Sequence, residues 1–168
     1  MREIAQKKLY RLWTGELAAA ILFPILWLFY IPTFEWSNEY LTTFPHIFAF
    51  FILEFILFQG SYYWYVKWKR LKKGKQSSLT NKQLAFFRIF KISNLVLLMI
   101  GIPVLVYQTT FPKGLYWYLF LYGFAMIEYI NYYHIRLSYM SVEEIKEFIR
   151  QKRFRHSILA REMRKLRN

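Results

Sequence analysis

The sequence predicts an all-α polytopic membrane protein: four bilayer-spanning helices with both chain ends on the inner side, followed by a basic amphipathic C-terminal helix. Three observations carry this prediction. The 168 residues are 56% hydrophobic and 22% aromatic, too apolar for a water-soluble domain of this length. The apolar residues gather into four stretches of the roughly 20 residues that a helix needs to cross a bilayer. The formal charge of +14, from 24 Lys and Arg against 10 acids that are all Glu, is confined to other stretches.

The spans are expected at 13–34, 44–68, 83–108 and 115–139, so that a transmembrane bundle occupies 1–139 and a cytoplasmic helix 140–168. Arg2, Lys7, Lys8 and Arg11 precede the first span. It continues through Tyr30 and Pro32 with no small-x-small cleavage site, and reads as a retained span. Pro32 and Pro45 bracket a short acidic loop holding Glu35 and Glu39. The second span ends in a basic run, Lys67, Lys69, Arg70, Lys72, Lys73 and Lys75. Gly74 and residues 77–81 form a polar loop, and Thr80 with Gln83 has capping-box spacing at the start of the third span. Gly101 and Pro103 weaken that span internally, and residues 111–114 form a Pro/Gly turn into the fourth.

Orientation follows from where the basic residues fall, because Lys- and Arg-rich loops resist translocation. The first and third loops hold only Lys113 between them, whereas the N-terminus, the second loop and the tail are densely basic. Both termini are therefore expected in the cytoplasm and the chain in the cell membrane. Trp36, Tyr40, Trp64, Trp68, Tyr107, Tyr116 and Trp117 fall near span ends, as interfacial aromatic residues do. Beyond Met140, Ser141 and Glu144 form a second capping box. Val142, Ile145, Ile149, Ile158, Met163 and Leu166 line one side of the helix that follows.

Several chemistries are excluded by residue type. With no Cys, no disulfide or thiolate site can form. With no Asp, Asp-rich magnesium sites for nucleotide-linked lipids are out, and no phosphate-cradling Gly loop, H-E-x-x-H or nucleophile elbow occurs. His46, His134 and His156 are too scattered for a metal site, so neither metal nor cofactor is expected.

Ionisable groups inside spans are costly and serve as candidates for function. The candidate intramembrane polar pocket comprises Glu16, Glu54, Arg88, Lys91, Asn94, Glu128, Asn131, His134 and Arg136. At about 1.5 Å per residue, Glu16, Arg88, Lys91, Glu128 and Asn131 all fall in the inner half of the bilayer. One reading is a pocket in which Arg88 and Lys91 hold an anionic head group beside Glu128, Asn131 and His134. The other, favoured on sequence, is structural: Lys91 pairs with Glu128 and Arg88 with Glu16 to fix helix register. Glu54 stands alone in depth among phenylalanines, the setting of a proton-coupled carboxyl or of a helix-to-helix hydrogen bond.

Tail residues Arg150, Lys152, Arg153, Arg155, Arg161, Arg164 and Lys165 are expected to contact anionic lipid of the cytoplasmic leaflet or a protein partner. Nucleic acid is disfavoured, because no folded domain outside the membrane would bind it. The leading expectation is a non-enzymatic accessory, regulatory or immunity-type subunit with a protein partner or in a homo-oligomer. The alternatives are an oligomeric channel or transporter, and a lipid-acting enzyme or flippase using Glu128 and His134 for proton transfer.

Overall fold

The computed structural model describes residues 2–110, 113–135 and 156–164, and every named element in them is a helix. These are α1 (Arg2–Thr33), α2 (Glu35–Leu41), α3 (Phe44–Lys72), α4 (Asn81–Thr110), α5 (Leu115–Tyr133) and α6 (Ile158–Arg164). Three of them, α1, α3 and α4, are long and apolar enough to cross a membrane. The fourth expected span, α5, is helical but not in that group. Its 19 residues include six tyrosines together with Glu128 and Asn131, which lower its hydropathy.

Ring contacts and side-chain hydrogen bonds fix the directions of the long helices. Trp13 stacks on Trp68 at 5.3 Å and Trp27 on Phe50 at 4.2 Å, so α1 and α3 are antiparallel. Asn94 of α4 meets Gln59 of α3, while the earlier Phe87 meets the later Tyr63, so these two also run oppositely. His46 at the start of α3 touches Gly114 at the start of α5, and Gly60 meets Tyr132 near the end of α5, so α3 and α5 run in parallel. The four long helices thus alternate in direction along the chain. One end of the bundle gathers the start of α1, the end of α3, the start of α4 and α6, with the basic residues that flank them; we call it the basic end.

The centre of the bundle is α3. Ala49, Ile52, Leu53, Ile56, Leu57, Tyr63 and Val66 are buried against its neighbours, and α3 packs on α1, α4 and α5. By contrast α1 and α4 turn Leu22, Ile25, Leu28 and Phe29, or Ile89, Ile92, Val96 and Met99, outward. Large apolar side chains on the outside and polar ones within is the arrangement a lipid environment stabilises.

Local signals place the ends. The expected capping box at the start of α4 forms in both directions: the Thr80 N–H donates to Gln83 Oε1 at 3.1 Å, and the Gln83 N–H to Thr80 Oγ1 at 3.4 Å. Gly74 and Gly114 take positive φ of 81° and 78° in the turns after α3 and before α5, where a side chain would be strained. Three boundaries differ from the sequence reading. Helix α1 begins at Arg2 instead of 13, because residues 2–12 are good helix formers without a breaker, and hydropathy alone cannot see a polar helical turn. The acidic loop holds a helix of seven residues, α2. Helix α5 stops at Tyr133 instead of 139, with His134 at its C-cap and Ile135 bridged to His156. The expected helix across 140–168 is described only as α6, and the Ser141–Glu144 capping box lies outside the described residues.

Two glycines are dictated by packing. A Cβ on Gly60 would collide with the Tyr132 ring, and one on Gly101 with the Tyr122 ring. Gly123 of α5 has open space around it. Gly101→Ala is therefore expected to destabilise the fold by about 1–3 kcal/mol through overpacking. Gly123→Ala should be neutral or stabilising by up to about 1 kcal/mol through helix propensity. Unfolding in mixed micelles with increasing dodecyl sulfate measures both; equal midpoints for the two variants would contradict the packing.

Candidate binding cavity at the basic end

The intramembrane polar residues divide into groups with different surroundings. Asn94, a member of the expected pocket, is fully buried and bonded reciprocally to Gln59: its Nδ2 donates to Gln59 Oε1 at 2.7 Å, and Gln59 Nε2 donates to its Oδ1 at 3.1 Å. The Tyr133 hydroxyl adds a donor to the same Gln59 Oε1 at 2.7 Å. This node ties α3, α4 and α5 together and leaves few free bonding positions. Two further tyrosines of α5 act alike: Tyr118 donates to the Gly101 carbonyl at 2.7 Å and Tyr122 to that of Leu98 at 2.5 Å. Those carbonyls flank Met99, whose helical donor Pro103 removes.

The other candidates do not converge on one pocket. Arg88 is exposed on α4, away from Glu16 of α1. Lys91 lies among cations, near Arg164 of α6 and His134 at the end of α5. Glu128 is half-buried and accepts from Asn131 Nδ2 at 3.3 Å, its neighbour on α5. Among the described residues, neither the Lys91–Glu128 nor the Arg88–Glu16 ion pair forms. Glu54 is only 7% exposed, and neither carboxyl oxygen has a hydrogen-bond partner among the described residues. It lies within about 40° round α3 of Phe50, Tyr65 and Trp68, the rings that meet α1. Arg136, Arg150, Lys152, Arg153, Arg155 and Lys165 lie outside the described residues, whereas Arg161 and Arg164 are exposed on α6.

At the basic end the structure assembles a site the sequence reading did not. Lys67, one of the presumed surface lysines, is only 4% exposed. Its Nζ donates to Glu162 Oε1 of α6 at 2.6 Å and lies 3.3 Å from the Tyr63 hydroxyl. The other carboxylate oxygen of Glu162 accepts from the Leu79 N–H at 3.4 Å. Ser157 caps α6 by accepting from the Ala160 N–H at 3.0 Å, while its own hydroxyl donates to the Tyr132 carbonyl at 2.5 Å. The Ser157 N–H also reaches the His134 carbonyl at 3.1 Å. Across the bundle, Arg2 and Gln6 of α1 donate to the Leu71 carbonyl at 3.1 and 3.3 Å.

Between α1, α3, α5 and α6 this leaves a cavity of about 500 Å³. Leu9, Leu12, Trp64 and Leu159 supply apolar wall; Glu16, Asn131, Tyr132 and Ser157 supply polar groups. Of the sequence candidates, Glu16 and Asn131 therefore share one space, with Glu128 beside them. Two sequence signals pointed here. Glu162 is the sole acid after Glu147, and Lys67 is enclosed by Tyr65, Val66 and Trp68.

Comparison with known protein families, with characterised proteins and with solved structures finds no match to this chain.

The Gln59 node yields a direct expectation. Gln59→Leu should cost about 1–3 kcal/mol, because it strands the buried Asn94 amide and the Tyr133 hydroxyl. Asn94→Leu should cost a similar amount, and the double variant should cost clearly less than the two together. Additive costs in the same micellar unfolding assay would show that the side chains act independently.

Proposed function

We propose that this chain is a four-span protein of the cell membrane, with both ends in the cytoplasm, acting without enzymatic chemistry as an accessory or regulatory subunit. Its basic end would be the surface a membrane or cytoplasmic partner engages. The observation carrying this reading is the attachment of α6: one buried ion pair, Lys67–Glu162, fastens the segment to the bundle and leaves Arg161 and Arg164 exposed. A segment so held presents a fixed cationic face to a partner or to anionic lipid. The same reading suits the bundle interior, where the Gln59, Asn94 and tyrosine side chains bond to one another or to backbone. Groups used in that way hold helices together.

The fourth span follows from length and direction. Helix α5 is about 28 Å long, close to the hydrocarbon thickness, and runs parallel to α3. The charge asymmetry between the two ends supports the orientation.

Because the chain has no Cys, single cysteines report topology without background. Asn38→Cys in α2 is expected to react with an impermeant maleimide added outside intact cells, and Lys75→Cys and Arg164→Cys only after lysis. The reverse pattern would refute the orientation. For the functional reading, native mass spectrometry of gently extracted protein should find a second protein in fixed stoichiometry. Glu162→Gln, which releases α6, should lose it. If the purified chain alone moved a solute across liposomes, or formed only a homo-oligomer, the accessory-subunit reading would fall.

A further inference from the structure

We infer that the turn closing α3 forms a binding site for a phosphate monoester, the doubly charged group of a phosphorylated lipid head or of a small soluble phosphate. A second cavity at the basic end carries the argument. It has a volume of about 300 Å³ and lies between the last turns of α3 and the start of α4. Lys69, Arg70, Lys73 and Lys75 line it, and no acid does. Among the described residues none of these four enters an ion pair.

The fold brings the four together in two steps. At about 100° per residue, Tyr62, Lys69 and Lys73 fall within about 40° of one another round α3, with Tyr65 and Arg70 flanking them. The chain then doubles back in a Schellman turn at Gly74, whose φ is 81°. The Gly74 N–H donates to the Leu71 carbonyl at 3.2 Å and the Lys75 N–H to that of Arg70 at 3.1 Å, which returns Lys75 to the side of Arg70. One or two cations at a helix C-terminus are ordinary, because the helix dipole favours them. That preference does not account for four cations closing on one cavity, whose mutual repulsion an anion among them would relieve.

The donors suit phosphate. Arg70 Nε donates to the Gln76 carbonyl at 3.3 Å, which holds the guanidinium in place and leaves its terminal nitrogens as a fork for two phosphate oxygens. Gln83 accepts from the Thr80 N–H through its Oε1, so its Nε2 is left to donate. A phosphate monoester carries about −1.5 to −2 charges at neutral pH and matches the cations better than a singly charged group does. Tyr62 and Tyr65 form the other wall, with Tyr62 also meeting Phe86 and Phe87 of α4 at 6.3 and 6.0 Å; these rings would face the organic part of the ester. Lys67, which holds α6, is about 160° round α3 from Lys69. The site is therefore separate from the α6 surface and does not depend on the partner reading above.

The test uses the full chain in phosphatidylcholine nanodiscs. One arm adds dioleoylphosphatidic acid, a monoester lipid, with dioleoylphosphatidylglycerol as the singly charged control, and counts retained lipid by native mass spectrometry. The other measures binding of glycerol 3-phosphate by equilibrium dialysis. Phosphatidic acid should be retained at about one per chain and at least about tenfold more tightly than phosphatidylglycerol. Saturable binding of glycerol 3-phosphate without that lipid preference would instead identify a soluble ester as the source. In whichever arm binds, Arg70→Gln with Lys73→Gln should weaken binding about tenfold or more. Lys7→Gln with Arg11→Gln removes equal charge from the same end outside the cavity, and should change binding by less than about twofold. Circular dichroism verifies the fold; if the first pair disturbs it, Lys69→Gln with Lys75→Gln takes its place. Binding in neither arm, equal retention of the two lipids with no soluble ester bound, or equal weakening by the site and control variants would overturn the inference.

Discussion

A bilayer offers no water to a polar group, so amides and hydroxyls inside the bundle are stabilised by finding partners in the protein. That constraint is concentrated at Gln59. Its side chain accepts from Asn94 and Tyr133 and donates back to Asn94, engaging α3, α4 and α5 at one depth. Around this point the register of three helices is fixed, because a slide by one residue would break all three bonds together. The short bonds from Tyr118 and Tyr122 to carbonyls of α4 then extend the same pairing toward the opposite end, past the irregularity at Pro103. Apolar packing in lipid is weakly directional, so these bonds supply the specificity that burial supplies in water.

The chain end is held by a different force. Lys67 and Glu162 form their ion pair with both side chains largely withdrawn from solvent, where desolvation costs are high unless the remaining bonds are satisfied. Here they are: Lys67 also reaches Tyr63, and Glu162 accepts from the Leu79 backbone. The same ammonium lies 5.2 Å from the Tyr63 ring centre. A buried pair of this kind is weak evidence for net stability, yet it is selective about geometry, since either partner alone would be an uncompensated charge. It fixes where α6 sits rather than how tightly the whole bundle holds.

The all-helical architecture and its long apolar helices were legible because length and hydropathy are properties of a sequence, and the Thr80–Gln83 cap is a local pattern that the fold realises. The site was legible only in part. Depth counting put Glu16, Glu128 and Asn131 in the same layer, and they do share a region, but depth carries no information about azimuth. Arg88 thus shared a layer with Glu16 and still faces outward on another helix. The Lys67–Glu162 pair spans 95 positions and joins two residues from stretches that look like ordinary basic surface. No periodicity links them. Tyr132 and Tyr133 are neighbours in the sequence, and only the structure shows that the Tyr133 hydroxyl belongs to the Gln59 node.

Why the cavity lies at the basic end follows from unequal helix lengths. Tyr132, almost the last residue of α5, is level with Gly60 of α3. Helix α3 continues twelve residues farther, to Lys72, which is about 18 Å. Over that distance α3 has lost its α5 neighbour, and α1, whose Trp13 and Tyr10 stack on Trp68, follows it outward. The gap between the projecting ends must be filled by something other than α5. Among the described residues a seven-residue helix, α6, returns to fill part of it. The space that remains is bounded by the polar last turn of α5 on one side and by apolar residues of α1 and α3 on the other. Its amphipathic character comes from these two kinds of wall meeting beside the end of α5.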